Sequence, residues 1–185
     1  MDAHPLRLQV NDDLQRSRLT VFFRLILFIP HAIWLYLWGI AAELAVVVAW
    51  IVALVTGRVP DGLHGFLAAY VRYLTQVTAY VTFVADPFPG FSGAPGYPVD
   101  LEVAPPAPQN RLVTLFRLLL AIPAFLVAGV LGFVLRVIAV LGWFACLALG
   151  RMPEGMRNLG SYCLRYEAQT NGYVFLLTEK YPSFS

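Results

Sequence analysis

The run Leu25-Ile26-Leu27-Phe28-Ile29-Pro30-His31-Ala32-Ile33-Trp34-Leu35-Tyr36-Leu37-Trp38-Gly39-Ile40-Ala41-Ala42 carries no charge over eighteen residues, and neither does Leu118 to Leu135 further along the chain. Eighteen uncharged, mostly apolar residues are about the length that reads as a membrane helix candidate. The rest of the chain agrees with that solvent. Of its 185 residues 59% are hydrophobic and 13% charged, with a mean hydropathy of +0.68. A soluble domain holds roughly 45–50% apolar and about 25% charged residues. The formal net charge is only +2, so no nucleic-acid partner is expected.

The two runs are copies of one unit. Residues 5–92 align without a gap on residues 98–185 at a constant offset of 93, giving 27 identities in 88 positions. The identical residues include Arg18 and Arg111, Phe23-Arg24 and Phe116-Arg117, Ile29-Pro30 and Ile122-Pro123, Gly39 and Gly132, and Trp50 and Trp143. Further on, Gly57-Arg58-x-Pro60-x-Gly62 matches Gly150-Arg151-x-Pro153-x-Gly155, and Arg72-Tyr73 matches Arg165-Tyr166. The chain therefore divides into a first repeat over 1–92, a linker at 93–96 and a second repeat over 97–185. The linker, Gly93-Ala94-Pro95-Gly96, reads as a short flexible joint.

Each copy predicts four parts. Leu6-x-Leu8-x-Val10 and Val99-x-Leu101-x-Val103 alternate with the period of a half-buried strand, and so short a strand needs a partner. A long apolar region follows, interrupted at Pro30 or Pro123, where an interior helical hydrogen bond is lost and a kink is expected. Gly57 and Gly150 then suit the left-handed close of a helix, while Pro60-Asp61 and Pro153-Glu154 suit the first turn of another. The last helix of each copy is amphipathic and, in the second copy, too polar to span a bilayer, which places both in the membrane interface.

All but one of the thirteen Lys and Arg residues flank the apolar cores. A single crossing per copy would invert the second copy and leave the positive charges no consistent side, whereas a helical hairpin keeps them all on one side. The expected fold is thus mainly α and integral to the membrane, with two pseudo-symmetric repeats. Each contains a strand, a Pro-kinked apolar hairpin bending at Gly39 or Gly132, and an interfacial helix. The 33 residues between Arg24 and Arg58 give arms of only about 25 Å, short of a core of about 30 Å, which points to a shallow or re-entrant hairpin.

Few residues offer chemistry. Glu43 and Arg136 are equivalent positions of opposite charge in apolar surroundings, and twofold packing of the copies predicts an ion pair between them. Arg58 and Arg151, at the repeated corners, are candidate lipid-phosphate contacts, because a planar guanidinium holds a phosphate bidentately. His31 reads as hydrogen-bonded to backbone freed by the Pro30 kink rather than as a metal or haem ligand. Asp86 and Glu179 read as solvated acids, and Cys146 and Cys163 as packing residues. No nucleophile elbow, phosphate loop or zinc helix is present. No catalytic, cofactor or metal residues are assigned, and no cofactor is expected. The start, Met1 to Asp13, lacks the basic and small-residue pattern of a signal peptide.

Several of these motifs occur together in a known family. Arg18-Leu19-x-x-x-Phe23-Arg24-Leu25-x-Leu27-x-Ile29-Pro30, Trp50 and Gly57-Arg58-x-Pro60-x-Gly62, with their second-copy equivalents and Tyr173-Val174-x-Leu176-Leu177-Thr178-Glu179-Lys180-Tyr181-Pro182-x-Phe184-Ser185, resemble the bacterial membrane domain of unknown function 4389. The first copy departs from the pattern at Asp86-Pro87-Phe88-Pro89-Gly90, and the second has Ala124 where the first has His31. The resemblance implies a bacterial, mainly actinobacterial, membrane and transfers no activity; the expected location is the cytoplasmic membrane, with the basic flanks facing the cytoplasm by the positive-inside tendency. The expected function is a non-enzymatic scaffold or accessory subunit of a membrane assembly. The alternative is a lipid- or small-solute-binding or transport protein with its site at the repeat interface. Membrane lipids, a membrane-protein partner or a second copy of the chain are the expected partners.

Overall fold

The structure, a computed structural model, describes residues 4–184; the terminal residues Met1, Asp2, Ala3 and Ser185, which belong to the readings of the start and of the last motif, lie outside the described residues. The elements are β1 (Leu6–Val10), α1 (Arg18–Thr56), α2 (Asp61–Val81), β2 (Val99–Val103), α3 (Arg111–Leu115), α4 (Arg117–Leu149) and α5 (Glu154–Val174). The offset of 93 maps β1 onto β2, α2 onto α5, and α1 onto α3 and α4 together.

The predicted strands pair with each other. β1 and β2 run antiparallel in the register Leu6↔Val103, Leu8↔Leu101 and Val10↔Val99. Leu8 and Leu101 are equivalent residues, so the pseudo-twofold axis passes between them, normal to the sheet. Alternation sends Leu6, Val99 and Leu101 inward to be buried and leaves Arg7, Gln9 and Glu102 exposed. Across the outer face Gln9 Nε2 donates to the Glu102 carboxylate at 2.5 Å.

Beneath the sheet lie α2 and α5, and beneath them α1 and α4, making three layers. The strands pack on the helix of the opposite copy, β1 on α5 and β2 on α2, while α1 and α4 pack on α2, α5 and each other. Leu6 reaches α5 because Gly172 has no Cβ; one built there would lie 2.0 Å from Leu6 Cδ1. The long helices are antiparallel. Arg18 Nη2 donates to the carbonyl of Ala148 at 3.1 Å, and Trp50 Nε1 donates to that of Thr114 at 2.8 Å. Equivalent positions therefore come level at Tyr36 and Gly129, on the same axis as Leu8 and Leu101.

One expectation is corrected here. The apolar regions are not hairpins: α1 runs unbroken for 39 residues and α4 for 33. Pro30 and Pro123 lie inside these helices, and the second copy is interrupted instead at Phe116, between α3 and α4. Gly39 and Gly132 are notches rather than bends. A Cβ at Gly39 would stand 3.1 Å from the Tyr70 hydroxyl oxygen, and one at Gly132 would stand 2.5 Å from Glu167 Oε1. Each glycine lets a polar group of the second layer approach the long helix. Arms of a hairpin need a partner to pack on, and here the other copy supplies it.

α2 and α5 form the middle layer, between the sheet and the long helices. Leu67, Val71, Tyr73, Gln76, Val77 and Tyr80 of α2 are buried on several sides. The buried glutamines are satisfied by loops: Gln76 Nε2 donates to the carbonyl of Ala94 at 2.9 Å, and the equivalent Gln169 accepts from Ser183 N at 2.9 Å. The linker is likewise tied down, with Arg72 Nη1 donating to the carbonyl of Gly93 at 3.2 Å. The helix corners form as expected, Gly57 at φ 75° and Gly150 at φ 68° in the left-handed region.

Candidate functional site: paired clefts at the repeat interface

The copies clasp each other's corners. Arg16 N donates to the carbonyl of Gly150 at 3.0 Å, and the equivalent Gln109 N donates to that of Gly57 at 2.7 Å. This exchange sets the start of α1 against the end of α4, and α3 against the end of α1. At each junction the long helices and the end of the middle-layer helix leave a cleft.

One cleft, about 350 Å³, is lined by Arg24, Leu25, Val81 and Phe83 of the first copy and Ala139, Val140 and Trp143 of the second. The other, about 300 Å³, is lined by Arg117, Leu118, Val174 and Leu176 of the second copy and Val46, Val47 and Trp50 of the first. Every residue in one has its equivalent in the other. Five of these seven pairs are identical, a larger share than the 27 of 88 over the whole repeat. The walls are aliphatic and aromatic, and the one charged group in each is an arginine.

Arg24 and Arg117 are only 1% exposed. A buried guanidinium is costly unless its donors are met, and the last turns of α2 and α5 and the segments after them supply carbonyls. Arg24 Nη1 donates to the carbonyls of Tyr80 at 2.8 Å and Ala85 at 3.2 Å, and Nη2 to the Asp86 carboxylate at 2.5 Å. Its guanidinium carbon lies 4.3 Å from the Tyr80 ring centroid and 4.6 Å from that of Phe83. In the second copy Arg117 Nη1 donates to the carbonyls of Tyr173 at 2.6 Å and Thr178 at 3.0 Å, and Nη2 to Gln109 Oε1 at 2.9 Å. A cation also complements the negative end of each helix dipole. In both arginines Nε alone has no partner.

In the sequence these two arginines read only as charges flanking the apolar runs. The signal is an identical arginine six residues past Arg18 and past Arg111, with Asp86 and Glu179 as matching acids. Asp86 is thus an ion-pair partner rather than a merely solvated acid. Glu179 accepts from the backbone N–H of Asn110 and caps the approach to α3.

Glu43 and Arg136 are not brought together. They lie seven residues past the level of the axis in opposite directions, about 20 Å apart along the seam at 1.5 Å per residue. No described ion pair joins them. Twofold packing brings equivalent residues together only beside the axis, which passes between α1 and α4 level with Tyr36 and Gly129. Arg136 instead lines a cleft of about 330 Å³ with Glu167. Burial pushes the Glu167 carboxyl above the usual carboxylate range, and the Arg136 guanidinium partly opposes that rise. Arg58 and Arg151 are exposed at the corners, Arg58 Nη2 standing 3.6 Å from the Asp61 carboxylate.

His31 is fully buried, but its partner is a side chain rather than freed backbone. Its Nδ1 lies 2.6 Å from the Tyr73 hydroxyl, and its ring stacks on Phe91 with centroids 4.8 Å apart. Where Ala124 replaces it, Phe184 stacks directly on Tyr166 at 4.8 Å; the equivalent Phe91 and Tyr73 stand 6.5 Å apart. Among the described residues no group of three metal-ligating side chains occurs. Cys146 and Cys163 are buried free thiols.

The duplication, the arginine motifs and the corner glycines all fall within two matches to one family profile, the domain of unknown function 4389 (DUF4389), at residues 18–92 and 111–185. The chain belongs to the DUF4389 family. It carries two tandem copies of the domain. No curated protein and no solved structure matches the chain. Both matches begin at the long helix, at Arg18 and Arg111, so the paired strands and the clasping segments lie outside the matched residues. α1 and α4 are each long and apolar enough to cross a membrane.

Proposed function

We propose that this DUF4389 protein is a non-enzymatic membrane protein that holds the acyl chains of lipids in its two clefts at the repeat interface. One observation carries the reading: two clefts lined position for position by equivalent residues, each with apolar walls and a single buried arginine. Volumes of 300–350 Å³ lie at the lower end of the roughly 300–1,000 Å³ typical of small-molecule sites, which suits part of a flexible chain rather than a compact solute. Inside a bilayer an acyl chain gains no hydrophobic free energy by moving onto protein, so its retention depends on packing and on polar contact.

The test is photo-crosslinking with a phospholipid carrying a diazirine in one acyl chain. Labelling concentrated on the half-buried Val81, Ala139 and Trp143, and on their equivalents Val174, Val46 and Trp50, supports the reading. Even labelling along the outer faces of α1 and α4 overturns it. A scaffold or accessory subunit is the second reading, favoured by the continuous apolar outer face of these helices. A membrane protein crosslinked to that face in stoichiometric amount would support it.

A further inference from the structure

We infer that the layer formed by α1 and α4 lies flat in one leaflet, with the pseudo-twofold axis along the membrane normal, instead of standing upright across the bilayer. The inference goes beyond the lipid-holding reading and rests only on its membrane location. The axis passes between Leu8 and Leu101 in the sheet and between α1 and α4 level with Tyr36 and Gly129, near their midpoints. Upright helices would therefore hold the sheet at the depth of the bilayer centre. Its exposed Arg7 and Glu102 would meet hydrocarbon, where a charge costs at least about 2.5–3.5 kcal/mol.

Three further observations favour the flat seat. Thirty-nine helical residues measure about 58 Å, nearly twice a hydrocarbon core of about 30 Å, so α1 could cross only at a tilt well beyond the usual range. Upright, Glu43 and Arg136 would lie about 10 Å from the bilayer centre, inside the core; lying flat, they sit beside the middle layer, near Tyr70 and Glu167, toward the water boundary. Finally, upright repeats would be inverted and put Arg18 and Arg151 on one side of the membrane and Arg58 and Arg111 on the other. The flat seat keeps all four exposed arginines at the rim of one leaflet, where anionic headgroups complement them.

The apolar face continues along the whole of both helices, with Leu19, Ile26, Ile33, Ile40 and Val47 exposed in one stripe of α1. These positions provide the test. In the full chain carrying Cys146→Ala and Cys163→Ala, single cysteines at each, and at Arg7 in the sheet, are spin-labelled and reconstituted in vesicles of phosphatidylethanolamine and phosphatidylglycerol. Depth is read from the relative relaxation by oxygen and an aqueous nickel chelate. The expected result is a uniform depth over the stripe, within about one helix diameter of 10 Å, and an aqueous label at Arg7. A profile that rises from one headgroup region to the centre and falls to the other overturns the flat seat while keeping the membrane location. Aqueous values throughout would overturn the membrane location itself.

Discussion

Leu8 and Leu101, equivalent residues in the two copies, face each other across the sheet, and this pairing makes the two repeats a single folded body. The segments that complete each copy come from the other: β1 packs on α5, β2 on α2, and the corners at Gly57 and Gly150 are clasped from across the axis. Residues 1–92 and 93–185 expressed as separate chains should therefore co-purify as a one-to-one complex. Either half alone should be recovered as an aggregate or as a dimer of itself. Gel filtration in detergent checks this, and a folded monomeric half would contradict it.

Arg24 should tolerate no replacement. Its two terminal nitrogens serve two carbonyls and the Asp86 carboxylate at once. Arg24→Ala loses charge-assisted hydrogen bonds worth about 1.5–3 kcal/mol and takes the ion-pair partner from the Asp86 carboxylate. Arg24→Lys keeps the charge but lacks the planar fork, and should recover less than half of the loss. Thermal unfolding in detergent reads both variants. Arg117→Ala should follow the same direction, since Arg117 meets the equivalent carbonyls.

Glu167 should make stability depend on pH. Burial raises its folded pKa above the unfolded value, so the folded state binds more protons in the interval between them. This group's contribution is full below the unfolded value and is lost as pH rises through the folded one. Glu167→Gln should remove that loss, raising the melting temperature at pH 8 relative to the parent while leaving it nearly unchanged at pH 4. Parallel melting curves of parent and variant at every pH would refute the assignment.

Gly93→Ala should be far more damaging than Gly96→Ala. Both glycines hold positive φ, at 61° and 99°. At Gly93 a Cβ would also lie 2.2 Å from the backbone oxygen of Ala69, whereas nothing lies within 4 Å at Gly96. The left-handed backbone alone costs roughly 1–2 kcal/mol, and Gly93→Ala should exceed that clearly in chemical unfolding.

The duplication was the most legible part of the fold, because an offset of 93 in the residues is also the offset of every element. The strand pairs and the left-handed corners at Gly57 and Gly150 follow from alternation and from glycine's freedom at φ above zero. The hairpins were misread because a glycine inside an apolar run is compatible with a bend and with a notch; only the arrival of Tyr70 and Glu167 from another layer decides between them. The ion pair of Glu43 with Arg136 failed for a related reason. Equivalence says which residues an axis exchanges, but not where along the helix the axis passes. Arg24 and Arg117 were visible as identical residues, yet their burial depends on helix ends about 56 residues away in the chain.

Native mass spectrometry of the protein released gently from its membrane tests the central claim, that the two clefts hold lipid. The prediction is two retained lipids per chain, one when either Ala139→Trp or Val46→Trp fills a cleft, and none when both are present. A parent chain that retains no lipid, or retained lipid that neither substitution displaces, would contradict it.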